Sequence, residues 1–198
     1  MESQQKITDI IAASVAVKQQ LLADAQLVET IGRVAEAATT CFRNQGKVLF
    51  CGNGGSAADA QHIAAELSGR FYIDRDPLFA EALHVNTSYL TAVANDYSYD
   101  EIYSRMVRAK GRAGDVLIGI STSGNSGNVL KAIEVARELD MIVVGMTGSS
   151  GGAMKAQCDH LVNIPSNDTP RIQESHILVG HIICQLIEEN LFGAKHGS

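Results

Sequence analysis

The chain has 198 residues and a formal net charge of −6, with an isoelectric point near 5.5. That length is enough for one α/β domain with a full core. An acidic balance with no basic run argues against nucleic-acid backbone binding, and no apolar stretch reaches membrane-spanning length.

The first residues lack the charged start and continuous apolar centre of a signal peptide. Residues 5–22 set Ile7, Ile10, Ile11, Val15, Leu21 and Leu22 at near-helical spacing. A second helix is expected over 25–43, with Leu27, Ile31, Val34, Ala38 and Phe42 inward. Two helices before the first strand exceed what one sheet face needs. Their stripes are expected to pack against another subunit, with covering the sheet as the alternative.

From Gly46 the pattern becomes strand–helix alternation. Strands are predicted at 47–51, 81–85, 115–120, 141–146 and 160–164. Helices are predicted at 57–69, 87–94, 99–110, 126–139, 151–157 and 171–191. This alternation implies an α/β fold, a doubly wound five-stranded parallel sheet with two extra N-terminal helices. Ligands in such sheets sit at the carboxyl ends of strands, near a topological switch point. Cys41, Cys51, Cys158 and Cys184 are scattered with no CxxC spacing. They read as reduced core residues of a cytoplasmic protein, not as a zinc cluster or disulfide frame.

Two strand ends carry polar loops. After the first strand, Gly52, Asn53, Gly54, Gly55 and Ser56 open a helix bearing His62 and Glu66. The glycines allow a sharp turn and close ligand approach. The helix start is a ready-made anion site, and His62 and Glu66, four apart, share one face. Gly52-x-Gly54-x-x-Ala57 loosely fits the dinucleotide fingerprint, but the next strand ends in Asn86 where that fingerprint wants an acid.

After the third strand, Ser121, Thr122, Ser123, Gly124, Asn125 and Ser126 open another helix. Four hydroxyls around a glycine at a helix start suit a phosphate monoester. An ordinary cap by Ser126 or Asn125 is the plainer alternative. No Walker-type GxxxxGK[ST] is present. A second glycine loop, Thr147–Gly152, lines the site or merely turns. His181 lies in a final apolar helix, where a lone histidine is usually a core residue.

These stretches recur in order in one family. Cys51–Arg70, Ala94–Tyr97, Gly119–Ser126 and Arg171–His176 with His181 resemble the phosphoheptose (sedoheptulose 7-phosphate) isomerases. That family belongs to the sugar isomerase (SIS) superfamily, whose fold is flavodoxin-like. The resemblance implies a single SIS domain over 1–198, with 1–45 serving oligomerisation and 46–198 forming the α/β core. It also implies conversion of sedoheptulose 7-phosphate to D-glycero-D-manno-heptose 7-phosphate. That step leads to ADP- or GDP-heptose for lipopolysaccharide or related glycans.

A cytoplasmic homotetramer with one zinc per subunit is expected, without nucleic acid or membrane. By the same resemblance, Ser121, Thr122, Ser123 and Ser126 hold the phosphate. Asn53, Gly54, Gly55, Ser56, Glu66, Arg70, Asn95, Asp96 and Gln173 line the sugar. His62, Glu66, Gln173 and His181 match the zinc positions, and Glu66 and His181 match the base and acid. The choice of His181 over His176 rests on the resemblance alone.

Aldose–ketose isomerisation through an enediol needs such a base and acid. Eight helical residues span about 12 Å, too far for Gln173 and His181 of one straight helix to share one ion. Either the helix starts after Gln173, or the two come from different subunits. The alternative function is a non-catalytic SIS paralogue that binds the replication initiator as a tetrameric scaffold. Such a protein is expected to lack Glu66 and His181, and both are here. A phosphosugar-sensing regulator would carry a DNA-binding segment, and the first 45 residues hold no basic recognition helix. Another isomerase of the superfamily would differ in pocket shape.

Overall fold

A computed structural model describes residues 2–193; Met1 and 194–198, the two ends of the expected domain, lie outside the described residues. Strands β1 (Val48–Gly52) and β3 (Val116–Ile120) are continuous apolar runs buried at every position. That pattern belongs to central parallel strands covered on both faces. With β2 (Ala80–Ala82), β4 (Ile142–Thr147) and β5 (His160–Asn163), they form one parallel sheet of order β2-β1-β3-β4-β5. This is the expected doubly wound arrangement.

The helices are α1 (Glu2–Ala23), α2 (Ala25–Arg43), α3 (Gly55–Ser68), α4 (Thr87–Asp96), α5 (Ile102–Lys110), α6 (Gly127–Glu138) and α7 (Thr169–Phe192). Alternation along β1 sends Val48 and Phe50 to a core shared with α1, α2, α3 and α7. Leu49 and Cys51 go to a second core under α4, α5 and α6. All four cysteines are free, and three of them are buried.

Several boundaries differ from those read in the sequence. The edge strand β2 spans three residues; past Ala82, Leu83 still donates to Phe50 O at 2.9 Å, but the chain then turns, and Asn86 caps α4. Residues 152–156 form a short 3₁₀ turn where a helix was expected, and Tyr99–Glu101 is a 3₁₀ lead-in to α5. Helix α7 starts at Thr169, with Pro170 in the first turn, where its missing N–H costs nothing. Gln173 and His181 therefore share one continuous helix, which removes the option of a helix starting after Gln173.

The two N-terminal helices behave differently. Leu27, Ile31, Val34 and Ala38 of α2 are buried in the chain's own core, so α2 covers the sheet. In α1 only Val17 and Leu21 are buried, while Ile7, Ile10, Ile11, Val15 and Leu22 face outward. Helix α1 is tied to α7 by Ser14 Oγ donating to Glu174 at 2.6 Å and by Arg171 donating to Ile10 O at 3.0 Å.

His176 of α7 is fully buried, its ring Nε2 3.2 Å from Thr147 O. Burial pushes its imidazole down to about 4. The unfolded chain takes up that proton near 6.5, so stability is complete above that pH and falls as pH drops toward 4. In denaturant melts the parent protein should lose about 2–3 kcal/mol more than His176→Gln between pH 7 and pH 4.5. Parallel stability curves would rule this residue out as the source.

Candidate active site

Strands β1 and β3 are neighbours whose chains leave in opposite directions, which opens a crevice at their carboxyl ends. Cys51 pairs with Gly119 and Gly52 with Ile120, so the two polar loops leave the sheet side by side. Asn53 and Asn128 lock them together: each side-chain amide donates to the other's carbonyl, at 2.8 and 2.9 Å. Tyr99 donates its hydroxyl to Asn53 Oδ1 at 3.2 Å. The buried Tyr103 phenol, its pKa pushed up by burial, donates to Gly52 O.

The hydroxyl loop is drawn into a cluster. Ser121 Oγ lies 2.9 Å from Ser126 Oγ and 3.5 Å from Ser123 Oγ. Ser126 occupies the cap position of α6, yet its side chain makes no capping bond. The plain cap reading therefore fails for Ser126, whose hydroxyl turns into the loop beside the α6 N–H groups. Asn125 is also no cap: it donates to Ser123 O at 3.0 Å and accepts from Ala153 N–H at 2.9 Å.

The second glycine loop buttresses the first. Gly148 N–H donates to Thr122 O at 2.9 Å, and Met154 N–H to Gly124 O at 3.1 Å. Gly124 has φ +69°, and a Cβ there would strike the Gly151 carbonyl.

Helices α3 and α7 run side by side in the same direction. At one end a Cβ on Gly55 would collide with the Gln173 carboxamide; further on, a Cβ on Gly180 would collide with Ile63. This packing brings His181 to His62. Their Nε2 atoms are 3.4 Å apart, and Glu66 Oε1 lies 3.0 Å from His62 Nε2. One ligand atom from each of the three falls within 4.8 Å of the others.

Two imidazole nitrogens and a carboxylate oxygen form a donor set that zinc accepts. Ligand atoms around tetrahedral zinc sit about 3.3 Å apart, and the two separations from His62 Nε2, 3.4 and 3.0 Å, are close to that spacing. Phe71 stacks on His181, ring centroids 5.4 Å apart and planes 24° apart. One turn before His62, burial pushes the Asp59 carboxyl up to about 6, and its Oδ2 has no partner.

Other expected residues lie elsewhere. Gln173 faces Gly55, about two turns from His181. Asn95 and Asp96 end α4, exposed and bonded to each other at 2.9 Å. Arg70 is exposed just past α3, and Ser56 is buried in its first turn. His176 is held in the core, while His181 reaches the cluster. Sequence reading missed Asn128, Tyr99 and Phe71. Asn128, two residues past Ser126, carried a visible signal as a polar group in the first turn of a buried helix.

Residues 10–148 match the SIS domain family. A phosphoheptose isomerase of Aneurinibacillus thermoaerophilus is 52% identical over 185 residues, covering 93% of each chain. The chain belongs to the phosphoheptose isomerase family. A solved phosphoheptose isomerase from Neisseria gonorrhoeae superimposes with a TM-score of 0.88 at 48% identity, covering 94% of this chain and 98% of that one. One from Francisella tularensis gives 0.91 at 39% identity, covering 96% and 100%. Among the described residues no helix is long and apolar enough to cross a membrane.

The buttressing of the hydroxyl loop of this phosphoheptose isomerase family member has a measurable consequence. Gly114 has φ +84° with open space around it, whereas Gly124 has the Gly151 carbonyl against it. Gly114→Ala should cost about 1–2 kcal/mol, the left-handed penalty alone. Gly124→Ala should cost at least about 1 kcal/mol more in denaturant melts. Equal costs would mean that the two loops do not brace each other.

Proposed function

We propose that this chain isomerises sedoheptulose 7-phosphate to D-glycero-D-manno-heptose 7-phosphate in the cytoplasm through an enediol, as the opening step of heptose biosynthesis. Membership of the phosphoheptose isomerase family supports the reaction. One observation carries the residue assignments: Glu66 and His181 converge beside His62, two turns along α3 from the polar loops.

Ser121, Thr122, Ser123 and Ser126 donate to the substrate phosphate, backed by the N–H groups at the start of α6. Asn53, Gly54, Gly55, Ser56, Arg70, Asn95, Asp96 and Gln173 line the sugar. The Glu66 carboxylate takes a proton from C1, and the C–H pair becomes the C1–C2 double bond as the C2 oxygen takes a proton from His181. The partly exposed Glu66 carboxyl exchanges its proton with solvent and then protonates C2. The O1 hydroxyl proton returns to His181 as C1 becomes the aldehyde, which restores both groups.

His62, Glu66 and His181 would hold zinc, which when bound supplies Lewis-acid polarisation of the substrate oxygens. With zinc bound, Glu66 would hold the metal through one carboxylate oxygen and take the proton with the other, and His181 would give its proton from the ring nitrogen turned away from the metal. Gln173 lies about 12 Å from His181 along one helix, so it joins a metal site only across a subunit interface. The outward apolar face of α1 is the surface on which a homotetramer would assemble.

Proton NMR of sedoheptulose 7-phosphate with the protein in deuterated water tests the reaction. The aldose product should carry deuterium at C2, and chelation should abolish its formation. Glu66→Gln and His181→Gln should each lower kcat by about 10²–10⁴-fold. No turnover with zinc resupplied would end this reading. For assembly, Ile11→Asp combined with Leu22→Asp should sediment as a smaller species with reduced activity. A monomeric double variant with full activity would remove the interface role.

A further inference from the structure

Past the carboxyl end of α3 the chain makes an irregular excursion over residues 69–79 before β2. Such a segment has many backbone groups to satisfy. A single carboxylate satisfies three of them. Glu188 of α7, 1% exposed, accepts from the backbone N–H groups of Phe71 at 3.0 Å, Tyr72 at 2.8 Å and Ile73 at 3.0 Å. Its fourth partner is Arg75 Nε at 3.0 Å, and both side chains are withdrawn from solvent.

The guanidinium faces the other way as well. Arg75 donates to the carbonyls of Glu66 at 3.0 Å, Leu67 at 2.7 Å and Gly69 at 2.9 Å. These belong to the last turn and exit of α3, whose carbonyls have no helical partner. One buried ion pair thus fixes three things at once. It holds the turn that carries Glu66, the backbone of Phe71 that stacks on His181, and, through α7, the helix that carries His181 seven residues before Glu188.

We infer that Arg75 and Glu188 are positioning residues for the His62–Glu66–His181 centre, acting through the backbone of Glu66 and the ring of Phe71. The inference rests on the proposed function for what the centre binds, but not for the geometry of His181. A buried ion pair is a poor way to gain stability, because desolvation offsets its attraction. What it gives here is direction: a fork of donors and a pair of acceptors that hold one loop conformation. Neighbouring groups that orient a metal-binding histidine raise affinity about 10–100-fold. Phe71 does this by covering one face of the His181 ring, and the ion pair does it by holding Phe71.

The test uses the full chain, with Glu188→Gln and Phe71→Leu as variants. In metal-stripped protein, the ring current of Phe71 should displace the His181 imidazole signals in proton–nitrogen NMR. Both variants should return them toward the free position and leave His176 unmoved. In competition with a chromophoric chelator, folded Glu188→Gln should hold zinc at least tenfold more weakly, with Phe71→Leu weakened about threefold or more. The kcat should fall in step while KM for sedoheptulose 7-phosphate stays within about threefold.

If Glu188→Gln does not fold, Arg75→Lys decides: it keeps a cation beside Glu188 but withdraws the fork of donors to the Glu66, Leu67 and Gly69 carbonyls, and should shift the His181 signals and weaken zinc in the same way. Unmoved His181 signals with parental zinc affinity and kcat would overturn the inference and leave the pair a structural tie only. If the parent protein neither holds zinc nor turns over sedoheptulose 7-phosphate, the proposed function fails, and the histidine spectra still decide the positioning role.

Discussion

Everything at the centre depends on how closely α3 and α7 approach. Two glycines make that approach, one from each helix: Gly55 receives Gln173, and Gly180 receives Ile63. Neither place has room for a Cβ. The contact sits within the main core, where Ala60, Ile63, Val179 and Ile183 are buried together. Interiors packed at this density do not absorb an extra methyl group without moving a helix. Such a shift would separate His181 from His62, which are matched to within a few tenths of an ångström of a metal's needs. Core packing and site geometry are one constraint here.

The sheet supplies the other end of the site. Parallel β1 and β3 release their loops side by side, and the reciprocal amide pair of Asn53 and Asn128 fixes the distance between them. The proposed phosphate loop leaves the sheet beside the start of α3, and the proposed base, Glu66, sits about three turns further along that helix. In the proposed substrate the phosphate and the reacting carbonyl are at opposite ends of a seven-carbon chain. A site built as one compact pocket would suit it poorly. A site that runs from hydroxyls at the start of α6, across the crevice, to a base well along α3 would suit it better.

How much of this could be read in the sequence depended on the range of the physics involved. The parallel sheet follows from local patterns: apolar runs of about five, turn glycines, helical periods between them. The hydroxyl loop and the His62–Glu66 pair were legible because their members are close in the chain. Edge strand β2 was overextended, because a run such as Ala82–Val85 reads as strand whether or not a neighbour is present to pair with it. Residues 151–157 pattern as a helix, but Gly151 and Gly152 take positive φ and the segment makes only a 3₁₀ turn over 152–156. Phe71, Arg75 and Glu188 left no trace. Glu188 meets Phe71 and Arg75 across more than a hundred residues, and a charged pair in sequence looks like ordinary surface. The partition between α1 and α2 was also hidden, since both show apolar stripes and only packing tells which stripe the chain covers itself.

That partition bears on what the site still needs. The His62 side chain is 48% exposed and that of Glu66 24%. An enediol in so open a place would meet water that competes for its protons, and exclusion of water is part of what such a site must achieve. The uncovered apolar face belongs to α1, and α1 is bound to the first turns of α7 through Glu174 and Arg171. Those turns carry Gln173. A second chain seated on α1 would therefore press on the segment of α7 next to the glycine loop, and could cover the open side of the cluster with its own residues. If a second chain buries α1 as proposed, burying that face and closing the site would be the same event, and the apolar residues of α1 would act on the chemistry without touching the substrate.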